Sequence, residues 1–296
     1  MPRKWISERI EQLDPHTDYD EIWRLTATHR PNDFLANLNF VLGILHVCTR
    51  ERDAVPVLDG GQGKVLTDPH ARADGSIWKP QLWWHYGSQH EKTRKSVEAV
   101  NRLHAHYARK YPDSFQPNDT YVATLGYEAA GVHRLQRKIG LPGYTDKQKV
   151  AAVTYARNVA THFRNATTGE PIADFPETFE DLEAFLDRYE AEDVPVNEIS
   201  PQVARAFIQQ FADRYFAKPL HPLARAWVVS LFDDHMIAAY RLRRPPKWAV
   251  NAYRALTKGI FLTGERVLAD PTTTYTERRQ ASVRACPHAG TASRTG

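Results

Sequence analysis

Residues 89–110 read QHEKTRKSVEAVNRLHAHYARK, and this stretch decides the fold class. Val97, Val100, His104 and Ala108 fall at i, i+3, i+7 and i+11, one stripe of a helix with 3.6 residues per turn. Tyr107 and Tyr111 extend the stripe, and Asn101 lies one turn before His104 on the same side. A histidine in the middle of an apolar stripe faces the interior. Two readings follow for His104. It is a core histidine satisfied by a backbone carbonyl, or it is an axial ligand, because neutral imidazole commonly holds haem iron in helical proteins. His106 points away from the stripe and faces solvent.

The same period recurs outward from this helix. Residues 18–30, DYDEIWRLTATHR, carry Ile22, Trp23 and Leu25 and end at Pro31. Asn32 or Asp33 caps residues 33–50, where Phe34, Leu35, Leu38, Val41, Leu42 and Leu45 keep helical spacing. Asn118 or Asp119 caps 120–139, which Gly140 and Pro142 stop. Thr145 with Gln148 forms a capping box opening 146–165. Thr178 opens 179–191, and Ser200 with Pro201 opens 201–216. Residues 223–241 and 246–268 complete the set, and strand-like alternation is nowhere sustained. The expectation is an all-α protein of about eight to ten helices in one domain over residues 1–269. From Asp270 the chain is polar and without period, so 270–296 is expected to be a disordered tail.

Residues 51–80 break the pattern with Pro56, Gly60, Gly61, Gly63, Pro69, Gly75 and Pro80. About thirty residues is too long for a plain connector. The stretch reads as an irregular segment lying over something, either a functional covering or an ordinary insertion.

Composition narrows the function classes. Of 296 residues 42% are hydrophobic and 25% charged, so a core can be buried and wholesale disorder is excluded. A net charge of +4 is too mild to predict nucleic-acid binding. Two cysteines, Cys48 and Cys286, exclude a disulfide scaffold and an all-cysteine metal site. No run of about 18 apolar residues marks an integral membrane segment. The start, MPRKWISERIEQLD, lacks a signal-peptide core, so a cytoplasmic location is expected. Seven Trp and thirteen Tyr suit a large core or an apolar ligand cavity.

Rival chemistries lack their motifs. HExxH, GxSxG and the phosphate-loop pattern are missing, and GLPG and GGQG are turns. Glu128 and His133, like Glu98 and His104, have the wrong spacing for a di-iron bundle. Zinc held by His46, His85 and His90 has no supporting spacing. RLRRPPK at 241–247 is explained by a solvated helix end and a Pro-Pro turn, with membrane-surface or nucleic-acid contact as the minor alternative.

NRLHAHY at 101–107, followed after a loop by NDTYVATLGYEAAGVHRL at 118–135, resembles the MpaB and rubber-oxygenase (latex-clearing protein) family of b-type haem oxygenases. FPETFEDLEAFLDRYE at 175–190 and DYDEIWRLTATHR at 18–30 are similar to further segments of that family. The resemblance spans roughly residues 18–215. It implies an all-α, globin-like haem domain with His104 as the proximal iron ligand and Asn101 beside it as a haem-binding residue. Rubber-cleaving members place an Arg, with a Thr four residues on, upstream of the histidine. Arg72 and Ser76, within RADGS, have that spacing. Those members carry a Lys just before the Thr that can occupy the sixth iron site, and this chain has Gly75 there. No catalytic Glu is placed by motif.

The resemblance therefore implies haem b as cofactor and dioxygen as co-substrate. Arg72 would face the bound oxygen or a haem propionate, and Ser76 would offer a hydroxyl. The expected activity is oxidation or cleavage of a C=C bond in a small hydrophobic substrate, isoprenoid-like or a natural product. The alternative is a non-catalytic haem-binding sensor or carrier. A third is a helical interaction module that has lost haem.

Overall fold

The computed structural model describes residues 3–285. Sixteen α-helices follow one another among them. The first six are α1 (Trp5–Gln12), α2 (Tyr19–Thr28), α3 (Asp33–Val47), α4 (Glu51–Leu58), α5 (Lys64–Thr67) and α6 (Pro69–Tyr86). Next come α7 (Glu91–Ala108), α8 (Pro112–Phe115), α9 (Asn118–Lys138), α10 (Asp146–Ala160) and α11 (Phe179–Ala191). The last five are α12 (Ser200–Tyr215), α13 (His221–Ser230), α14 (Asp234–Ala239), α15 (Lys247–Leu262) and α16 (Tyr275–Ala285). No strand occurs among the described residues, only an isolated bridge between Arg164 and Pro171. No helix among them is long and apolar enough to cross a membrane.

Local chemistry places several of these boundaries. The Asn32 side chain accepts from Leu35 N–H, Thr178 accepts from Asp181 N–H, and Thr145 and Gln148 complete a reciprocal capping box. At α9 neither candidate cap acts as one. Asn118 instead exchanges hydrogen bonds with Ala173, at 2.8 and 3.0 Å, and Asp119 pairs with Arg52. Ser200 donates to Thr49 C=O rather than capping α12. The stretch 223–241 divides into α13 and α14, and α15 ends at Leu262, where a wider turn runs Thr263–Val267.

The reading of 51–80 as irregular gives way to three helices. Pro69 sits in the first turn of α6, where a missing N–H costs nothing, and the Asp68 carboxylate accepts from Ala71 N–H. Pro80 lies inside α6 and cannot donate to the carbonyl of Ser76. An internal proline costs about 3 kcal/mol, and burial of Ala73, Ile77, Trp83 and Trp84 offsets it.

α9 runs between two cores and is buried on most sides. One core gathers Trp23, Trp83, Trp84, Tyr155 and Phe179 around its first half. The other joins Leu135 and Ile139 to Phe207, Phe211, Trp227 and Phe232. α11 comes so close that a Cβ on Gly126 would stand 3.0 Å from Leu182, which is why glycine sits there.

The expected disorder from Asp270 onward does not hold for 270–285. Asp270 is buried, accepts from Ile6 N–H at 3.0 Å and pairs with Arg30 at 3.1 Å. Thr274 and Glu277 cap α16 reciprocally, at 2.7 and 3.2 Å. Tyr275 then packs with Ala36, Ala73 and Ile77, which ties the segment to α3 and α6. Residues 286–296, including Cys286, lie outside the described residues.

Candidate functional site

Helices α6, α7 and α9 wall a cavity of about 960 Å³, at the upper end of the usual range for small-molecule sites. α7 contributes Val100, His104 and Tyr107. α6 contributes Arg72, Ser76 and Lys79 at i, i+4 and i+7, one face of a helix. α9 contributes Tyr121, Thr124, Glu128 and Val132 at i, i+3, i+7 and i+11, again one face. Trp83, Phe115 and Phe163 close the remaining walls with apolar surface.

His104 stands with its ring 5.2 Å from Phe115 and 6.2 Å from Tyr121. Its Nδ1 is buried and has no hydrogen-bond partner. A core histidine would have the carbonyl partner that is missing here. Leaving such a nitrogen unpaired costs about 1–3 kcal/mol. Burial, then the charges of Lys79 and Arg72, pull His104 down to about 4, so at neutral pH the imidazole is neutral. That is the form that binds metal.

Arg72 donates to Ser76 Oγ and has no carboxylate partner among the described residues. Burial lowers its pKa. Lys79 reaches Gly75 C=O at 3.5 Å, one turn beyond the position where the rubber-cleaving pattern has lysine. Its pKa is lowered too, by burial first and then by Arg72 and Lys64. Two cations without carboxylates in a largely apolar cavity suit a ligand that brings its own acidic groups.

Acids that motif reading had not placed also line the wall, Glu128 and Asp53 among them. Glu128 has neither a hydrogen bond nor an ion pair among the described residues, and burial raises it to about 8. It is a neutral carboxylic acid at pH 7, able to donate one hydrogen bond. Asp53 is raised by burial to about 6 against the pull of Arg52, and it accepts from Thr120 at 3.1 Å. Glu51 is exposed at the start of α4.

The structure thus brings His104, Arg72 and Ser76 to one cavity, and it does not bring Asn101 there. Asn101 donates to His162 C=O at 2.9 Å and accepts from Arg164 N–H at 3.2 Å. Its amide ties α7 to the loop after α10, so its fixed role is structural. Lys79 and Glu128 were legible only as spacing. Lys79 follows Arg72 by seven and Glu128 follows Tyr121 by seven, but the first signal needs α6 to be known as a helix.

The donor set could hold an iron macrocycle. One neutral imidazole offers a nitrogen, two unpaired cations could meet carboxylates, and the walls are aromatic and aliphatic. His85, offered with His46 and His90 as a zinc set, instead shares a hydrogen bond with the Thr274 hydroxyl at 3.0 Å, and His90 caps α7. The basic run at 241–247 is paired, Arg241 to Glu198 and Arg244 to Asp234.

A family model described as "ER-bound oxygenase mpaB/B'/Rubber oxygenase, catalytic domain" matches residues 40–260, more than half of the chain. The match takes in Arg72, Ser76, His104 and Glu128. No curated protein matches the chain.

Proposed function

This chain belongs to the mpaB/B′ and rubber oxygenase family, and on that premise we propose a haem b-dependent oxygenase. It uses dioxygen to oxidise or cleave a C=C bond in a hydrophobic unsaturated small molecule, isoprenoid-like or a natural product. The observation that carries the reading is the neutral His104, whose buried Nδ1 has no protein partner, beside a cavity of about 960 Å³.

When bound, haem b would supply the iron that activates dioxygen. His104 is the residue that would hold the iron. Arg72 and Lys79 would pair with the carboxylates of the bound cofactor, or Arg72 would lend its charge to the oxygen chemistry. Arg72 is fixed toward Ser76, so the two act as one polar spot on α6. Tyr121, Phe115 and Phe163 exclude water and hold an apolar chain. Glu128, protonated, would donate a hydrogen bond to a carbonyl or hydroxyl of the substrate.

The test is a visible spectrum of purified wild type beside His104→Ala, with a haem assay on each. A strong Soret band that is lost in the variant supports the reading. Oxygen-dependent loss of an alkene then separates an oxygenase from a haem carrier or sensor, which would keep the band without turnover. A wild type that stays colourless after reconstitution with haem would refute haem dependence.

A further inference from the structure

A second cluster of metal-ligating groups lies behind α9, on the far side of Tyr127 from the cavity. His46 ends α3, Glu190 lies near the end of α11, and His235 lies on α14. One ligand atom from each falls within 4.8 Å of the other two. We propose that His46, Glu190 and His235 form a binding site for a divalent first-row transition ion. The set is two imidazoles and one carboxylate, a combination that leaves coordination positions open.

Four observations support this assignment beyond proximity. The Nε2 of His235 is buried without a partner, an unmet polar group on one of the three side chains. His46 Nδ1 lies 3.2 Å from Glu190 Oε1 without the alignment of a hydrogen bond. The side chains of His46 and Glu190 are each only 13% exposed, so both ligands are largely withdrawn from water. A cleft of about 410 Å³, lined by His46 and Glu190, gives an ion and its waters a way in.

The surroundings have the character of an outer shell. Arg134 holds Glu190 Oε2 at 3.0 Å and Tyr127 donates to Oε1 at 2.8 Å, which orients the carboxylate. The Oε1 atom keeps a second lone pair toward His46. Tyr127 also stacks on His46 with ring centroids 4.5 Å apart. Arg134 and Lys138 do not face an ion as free cations, because Arg134 is also paired with Asp187 at 2.9 Å and Lys138 with Asp233 at 2.6 Å. Bonds of about 2.0–2.1 Å bring ligand atoms to roughly 3.3 Å from each other, so side-chain rotation closes the set. An ion there would join three helices distant in sequence, α3, α11 and α14. It would stand next to Tyr127, which lines both the cleft and the cavity.

The experiment is zinc titration of the full chain after chelator treatment, read by competition with a chromophoric chelator and by metal analysis. Wild type is expected to bind one equivalent and to melt a few degrees higher with zinc. His235→Ala is expected to weaken binding at least about tenfold and to lose the zinc-dependent rise. Its circular dichroism and zinc-free midpoint should match wild type, since His235 Nε2 has no protein partner to lose. His85→Ala, at a histidine already bonded to Thr274, should bind zinc as wild type does. No zinc on wild type, or equal binding by wild type and His235→Ala, would overturn the assignment. Loss of binding in His85→Ala would overturn it as well. None of these outcomes depends on haem at His104.

Discussion

His104 on α7 and His133 on α9 are both pulled to about 4, mainly by burial, and both touch aromatic rings. Their surroundings differ most at Nδ1. His133 Nδ1 accepts from Tyr144 N–H at 2.8 Å, and Gly143 is there because a Cβ would stand 2.6 Å from that nitrogen. Its ring packs against Tyr144 and Phe179 at 5.3 and 5.1 Å. His104 has an orphan Nδ1 and an open cavity in front of it. The difference teaches that a lowered histidine pKa marks burial alone. The missing partner, together with the cavity, is what sets His104 apart from His133.

The largest test of that contrast is His104→Ala. It should abolish stoichiometric haem retention, while the stability of the haem-free protein changes by less than about 1 kcal/mol, because no internal hydrogen bond is lost. Spectra and denaturant melts on the same samples check both halves. A haem-free variant destabilised as much as a core truncation would place His104 with His133.

Tyr275→Ala comes next, at about 3 kcal/mol by denaturant unfolding, because it empties a buried site against α3 and the cavity helix α6. An unchanged midpoint would return residues 270–285 to the tail first expected of them. His133→Ala should cost about 2 kcal/mol, from a stranded Tyr144 N–H and a small void, and leave the Soret band untouched. Loss of the band there would erase the distinction between the two histidines.

Glu128 extends the comparison to acids. Its native pKa of about 8 lies above its unfolded value of 4.5, so the native state holds the proton more tightly. The stability contribution is full below pH 4.5 and is lost as pH rises through 8. Glu128→Gln should flatten that decline, raising haem-free stability near pH 9 by an amount on the order of 2 kcal/mol. Parallel pH profiles for both proteins would show that Glu128 is solvated or paired. The smallest effect is expected from Ser76→Ala, about 1 kcal/mol in ligand affinity, as Arg72 loses its only hydrogen-bond acceptor among the described residues. Binding titrations of the two proteins measure it.

Much of the helical order was legible because its signals are local. The capping box at Thr145 and Gln148 and the cap at Thr178 act within one turn, so spacing reveals them. Thr274 and Glu277 carry the same capping-box spacing, but the polar composition of the segment hid it. Within α16 only Tyr275 and Thr276, at its start, are buried. In α6 the prolines argued against a helix, and packing from both sides outweighed them. Asn101 sat correctly beside His104 on its helix, yet its partners come from the loop after α10, which no local pattern could show.

The sequence by itself determined the all-α class, most helix boundaries and the inward stripe that carries His104, since period and capping chemistry act over a few residues. The tertiary structure decided which polar groups go without partners. His104, Glu128 and His235 are set apart by atoms that failed to meet them, and a missing contact depends on every helix packed nearby.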